Sequence, residues 1–153
     1  MEQNHVVVLS GIKRFHVLTD TGDDTGRTVE FNPADQGFAE DLYGLVSKLA
    51  RIHDQKNKEV EAVEDAAERF DIRRAEDTEM RAVVDALFGE GFCSDVFKTR
   101  LSAVAGGITV VENFLYALLD EMDSSISENM AKRGARIKQY TDKYSKYTRK
   151  HGN

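Results

Sequence analysis

Asn32 to Ile52, NPADQGFAEDLYGLVSKLARI, decides the fold of this 153-residue chain. Asn32 is a helix cap, and Pro33 suits the first helical position, where its missing N–H costs nothing. Asp35 favours the positive end of the helix dipole. Phe38, Leu42, Leu45, Leu49 and Ile52 then recur at helical spacing, which makes one apolar stripe. After a slip near Lys56 the stripe resumes with Val60, Val63, Ala67 and Phe70. Read without a break, this helix covers about 37 residues and roughly 55 Å. So long a helix needs a partner along its length.

Before it, Val6–Leu9, Ile12–Leu18 and Thr28–Phe31 are rich in β-branched and aromatic residues, with Ser10-Gly11 and Asp20–Gly26 as turns. They predict a small β-hairpin or three-stranded meander, which must pack on something to be stable. After the long helix a second one is expected from about Asp77 to Phe88, ended by Gly89 and Gly91. Ser94 is expected to cap a short third helix carrying Val96, Phe97 and Leu101. Gly106-Gly107 mark a joint, and Ile108, Val111, Leu115, Leu118, Met122 and Ile126 make a further core-facing stripe. The expected architecture is mainly α with a small N-terminal β-unit (6–31), a long antiparallel helical hairpin and two shorter helices.

Charge divides the chain. Residues 132–151 hold eight basic side chains against the single acid Asp142, a net +7, which leaves −13 on the rest of a chain totalling −6. Ile137, Tyr140, Tyr144 and Tyr147 form one helical stripe through this segment. An acidic body (1–131) thus carries a basic, tyrosine-striped arm (132–153) within the same domain. Gly134 costs about 1 kcal/mol relative to Ala inside a helix, which leaves open whether the arm is a separate helix. Tyr and Arg are favoured interface residues, so Ile137, Tyr140, Lys143, Tyr144, Lys146 and Tyr147 are the candidate partner-binding residues. Nucleic acid is the poorer partner, because the acidic body repels phosphate.

Catalytic chemistry finds no seat in the sequence. Asp20-Thr-Gly22 and Asp24-Thr-Gly26 spell the aspartic-protease triplet but sit in turn sequence, and neither fits a calcium loop, whose sixth position from Asp20 is Thr25. Glu61, Glu64, Asp65 and Glu68 on one helical face read as solvated, since the single Glu-x-x-His, Glu2 to His5, lies outside any helix. Cys93 has no histidine near it in sequence, and Gly89-x-Gly91 lacks a dinucleotide loop's third glycine. No catalytic, cofactor-binding or metal-ligating residues are assigned, and the chain is expected not to be an enzyme. A lone cysteine suits a reducing cytosol, and no apolar run approaches the roughly 20 residues that span a membrane, so a cytoplasmic location is expected.

Three segments taken together resemble a known family. They are Phe31-Asn-Pro-Ala-Asp-x-x-Phe38-Ala39-Glu40; Glu79-Met-Arg-x-x-Val-Asp85-x-Leu-Phe88-Gly89 with Cys93 and Phe97; and Asp120-Glu-Met-Asp123 leading to Arg136-Ile-x-x-Tyr140-Thr-x-Lys143-Tyr144-x-Lys146. The chain is similar here to small proteins from the tail-gene region of long-tailed phages and prophages of Gram-positive bacteria, the siphophage tail assembly chaperones. The similarity runs in order from residue 31 to about 147; the family pattern has proline where Gly134 stands. The resemblance implies a non-enzymatic host-cytoplasmic protein without cofactor that keeps the tape measure protein soluble during tail morphogenesis. The seams Phe38–Phe70 and Ile108–Ile126 would then be the client grooves, with the arm clasping the client or a neighbouring copy in a homo-oligomer. A structural tail or connector subunit is one alternative, and a regulatory nucleic-acid-binding protein acting through the arm is another.

Overall fold

The computed structural model describes residues 3–151, with the side chains of Asn129 and residues 144–151 outside that description. The chain is mainly helical, with a small N-terminal β-hairpin followed by long helices. Strands β1 (Lys13–Leu18) and β2 (Asp24–Phe31) pair antiparallel with Phe15 opposite Val29 and Lys13 opposite Phe31. Period-two alternation sends Phe15, Val17, Val29 and Phe31 to one face, where Val17, Val29 and Phe31 are buried. Phe31 stacks between Phe15 and Phe38, with centroids 5.0 and 4.6 Å away, so the hairpin gains the packing it lacks alone. Val6–Leu9, expected as a strand, forms none. Gly11 turns the chain at φ +74°, and these four side chains stay exposed.

The first helix begins later than expected. Asn32 Oδ1 accepts from the Ala34 N–H at 2.9 Å and its carbonyl from the Asp35 N–H, so Asn32 makes a turn that holds the buried Pro33. Asp35 is the cap: its carboxylate accepts from the Gly37 N–H at 2.9 Å and opens α1 (Gln36–Glu61). Leu42, Leu45 and Leu49 are its buried stripe.

The expected seam to Phe70 breaks at residues 62–65. Asp65 caps α2 (Ala66–Phe88), which absorbs the helix expected from Asp77. Asp65 followed three residues later by Glu68 is a capping-box signature, and it outweighs the apolar periodicity that continues past it. α1 and α2 therefore fold back as the antiparallel helical hairpin, and Phe70 is 62% exposed at its tip. Glu61, Glu64, Asp65 and Glu68 consequently do not share one helical face. Glu61 ends α1, Glu64 and Asp65 lie in the link, and Glu68 is in the first turn of α2.

Gly89 stops α2, and α3 (Phe92–Val96) starts from Gly91 rather than Ser94. Gly91 has φ +77°, and a Cβ there would meet Arg27 Nη2 at 3.0 Å. Arg27 crosses from β2 to donate to Asp95 Oδ2 at 2.7 Å and to the Glu90 carbonyl at 2.9 Å, which ties the hairpin to α3. Phe97 and Leu101, expected in the third helix, are the buried residues of the loop beyond it, whose Lys98, Thr99 and Arg100 are exposed. Gly106 and Gly107, both at positive φ, form the turn of a small second hairpin, β3 (Val104–Ala105) with β4 (Ile108–Thr109). α4 (Val110–His151) then runs unbroken for 42 residues. Gly134 does not interrupt it, since one glycine penalty without a following cap is too small to end a helix.

Phe92 sits at the centre of the core, its ring 4.9 Å from Phe88, 5.7 Å from Phe114 and 6.4 Å from Phe97. This aromatic cluster joins α2, α3 and α4. A polar stripe on α2 holds the intervening loop. Asp77 accepts from the Leu101 N–H at 2.8 Å, Arg81 donates to the Thr99 carbonyl, and Asp85 accepts from the Cys93 N–H at 2.9 Å.

Candidate docking surface along α4

The buried face of α4 is set by Val111, Leu115, Leu118, Leu119 and Met122, with Ser125 the last buried residue among those described. At 3.6 residues per turn, Leu115, Leu119, Met122, Ile126, Met130, Arg133, Ile137 and Tyr140 fall within an arc of roughly 100°. The face that packs into the body therefore continues past it. Beyond Ser125 nothing covers it: among the described side chains every one from Ile126 to Lys143 is exposed. Ile126, Met130, Ile137 and Tyr140 are 38%, 70%, 51% and 45% exposed. Residues 126–151 extend roughly 39 Å at about 1.5 Å per residue.

Of the predicted docking residues, Ile137, Tyr140 and Lys143 thus lie on a solvent-facing helix. Tyr144, Lys146 and Tyr147 belong to α4 by backbone, and their side chains fall outside the described residues. Arg136 stands one turn before Tyr140 with its guanidinium carbon 5.9 Å from the ring centroid, a cation–π distance. Basic side chains in a helix's last turns also suit the negative end of its dipole. Arginine beside tyrosine along an apolar stripe is a surface suited to an acidic, amphipathic partner.

The other proposed grooves are filled only in part, since Phe70, Ile108 and Ile126 at their ends are exposed. Leu42, Leu45 and Leu49 of the first seam, and Val111 to Met122 of the second, are buried within the chain's own core. What remains open is shallower. A groove of about 600 Å³ lies between Val17–Asp20 of the hairpin, Val96–Thr99 and α4 at Val110, Phe114 and Ala117. A second, of about 510 Å³, lies at the α1–α2 tip between Glu59 and Asp71.

A buried polar centre between α1 and α2 was not picked out from the sequence. Glu76 is fully buried, and its carboxylate accepts from His53 Nδ1 at 2.9 Å and from Arg73 Nη1 at 3.1 Å. Arg73 Nη2 donates in turn to Asn57 Oδ1 at 2.7 Å. The signal was there as His53-x-x-x-Asn57 on α1 facing Arg73-x-x-Glu76 on α2, two polar pairs at helical spacing on apolar faces. Among the described residues no buried side-chain polar atom lacks a partner, so the network serves to register the helices and leaves no buried polar atom aimed at a ligand. Nearby, burial lowers the Lys56 pKa, but the carboxylates of Glu79 and Glu59, 3.2 and 3.3 Å away, outweigh it and the net direction is up.

Cys93 is buried, and burial first, then the Asp85 carboxylate, pushes its thiol up to about 12. A thiol held protonated at neutral pH is a poor nucleophile. The Asp-Thr-Gly triplets take structural parts. Thr25 Oγ1 donates to the Val17 carbonyl at 2.7 Å, and Asp24 accepts from the Gly26 N–H at 2.8 Å. Among the described residues no helix is long and apolar enough to cross a membrane.

Compared with protein-family models, curated proteins and solved structures, the chain matches none. The fold and surface define a helical protein whose last helix, among the described residues, carries exposed Ile126, Met130, Ile137 and Tyr140 beyond its buried face.

Proposed function

We propose that this chain is a non-enzymatic binding protein that shields an amphipathic helical client, in the manner of a siphophage tail assembly chaperone acting on a tape measure protein in the host cytoplasm. One observation carries the reading: the core-facing stripe of α4 continues beyond the body as exposed Ile126, Met130, Ile137 and Tyr140. An exposed apolar stripe on a solvated helix is costly to maintain unless something covers it. Helix-on-helix docking reads out anchors at such spacing. The three-segment resemblance supplies the client class. Burial of the middle of each seam leaves the arm, the exposed seam ends and the open grooves as the client surface. The acidic body keeps a loaded complex dispersed through like-charge repulsion.

Co-expression with a siphophage tape measure protein tests this. The client is expected in the soluble fraction, eluting with this chain; equal solubility without it and no joint peak would refute the proposal. Mass spectrometry of purified particles separates the chaperone from a structural tail subunit, because only the subunit stays in the virion.

A further inference from the structure

The arm fits a site that this chain itself carries. We propose that the basic arm of one copy docks on the acidic tip of the α1–α2 hairpin of a second copy, in a head-to-tail contact. Among the described residues past Ser125 the arm packs on nothing in its own chain: every such side chain from Ile126 to Lys143 is exposed. α4 is one continuous helix, so the arm does not fold back on its own hairpin.

Charge selects what covers the stripe. Two arms side by side would bring +7 against +7, with Asp142 the single acid on each. Such like-charge pairing is unfavourable. The hairpin tip has the opposite sign. Residues 59–71 carry Glu59, Glu61, Glu64, Asp65, Glu68 and Asp71 against Arg69 alone, a net −5. Glu59 is engaged by Lys56 and Asp71 by Arg74. Glu61, Glu64 and Glu68 are exposed and have no ion pair among the described residues.

The tip also offers apolar area, which an acidic cluster alone would not. Its groove of about 510 Å³ is lined by Ala62, Val63, Ile72 and Ala75 together with Glu59, Asp71 and Lys56, whose ammonium is already engaged by Glu59 and Glu79, and elsewhere on α2's first turns Phe70 is 62% exposed. Ile137 and Tyr140 supply matching apolar side chains, and Arg136 and Lys143 lie together along one flank of their stripe. Because arm and tip are different surfaces, the contact is heterologous and builds rings or open chains rather than a closed symmetric pair. It stands apart from the chaperone reading, because it concerns the chain without any client.

Sedimentation velocity of the purified full chain, at about 50 mM and about 500 mM salt, tests it, since exposed ion pairs are screened across that range. Species larger than a monomer are expected at low salt, dissociating at high salt. Arg136→Glu with Lys143→Glu is expected to be monomeric at both, with an unchanged far-ultraviolet helix signal because both side chains are exposed. Adding Glu61→Lys and Glu64→Lys to that variant is expected to restore association, since the complementary signs are then exchanged. A wild-type chain that stays monomeric at low salt overturns the proposal. So does association that survives the arm reversal, or a fourfold variant that fails to reassociate. A monomer that instead shifts a DNA fragment through the arm overturns it too, and would assign the arm to nucleic acid.

Discussion

Replacing Glu76 with Ala removes the carboxylate on which His53 and Arg73 converge and leaves a hole where a fully buried side chain stood. Deleting one partner of a buried ion pair costs about 3–5 kcal/mol. Arg73 and His53 retain 31% and 22% side-chain exposure. Both can therefore turn to water once the carboxylate is gone, which places the cost near the lower bound, about 3 kcal/mol. For a chain of this size each kcal/mol moves Tm by about 2–4 °C, so a fall of roughly 6–12 °C is expected. Glu76→Gln keeps the volume and loses only the charge-assisted component, about 1–2 kcal/mol. Thermal melts followed by circular dichroism, with urea titrations of the same variants, supply both numbers. A double-mutant cycle with Arg73→Ala should return a coupling of about 1 kcal/mol or more. A fall below about 3 °C for Glu76→Ala, or additive single effects in the cycle, would refute the view that this network locks α1 against α2.

Two further outcomes follow from the same structure. Asp65→Ala removes the α2 cap and should cost about 1 kcal/mol in a urea titration, whereas Glu64→Ala, one residue earlier, should cost nothing measurable. Cys93 should resist a thiol reagent at neutral pH in the native state and react once urea unfolds the chain. Its raised pKa also sets a sign: above the ordinary thiol value the unfolded chain gives up the proton that the fold retains. This contribution to stability is therefore lost as pH rises from about 9 towards 12, and Cys93→Ala should remove that component of the alkaline slope.

The elements that sequence made legible are those where periodicity and punctuation agree. The Phe15/Val17 alternation, the Leu42–Leu45–Leu49 stripe and the Gly89–Gly91 stop each carry two concordant signals. Conflicting signals produced the differences. At Asp65 the apolar stripe argued for continuation and the capping box for a new start, and the cap prevailed because it satisfies otherwise orphaned N–H groups. At Gly134 the opposite held, because no cap follows and the helix passes through. Val6–Leu9 has strand composition but no neighbouring backbone to pair with, which no local pattern reports. The Glu76 centre was missed because it depends on a pairing between helices whose register is fixed only in three dimensions. The basic charge of residues 132–151 and the helical spacing of Ile137 and Tyr140 are features of the sequence itself. That the arm's stripe is continuous with the core face of α4 needed the structure.

Ile137→Asp with Tyr140→Asp tests the docking face most directly, read as the solubility of the co-expressed tape measure protein beside the Tm of the variant. Both side chains are about half exposed, so Tm should stay within about 2 °C of wild type. The client should nevertheless pellet. A client that stays soluble and still co-elutes with the doubly substituted chain would contradict the assignment of the α4 stripe as its binding face.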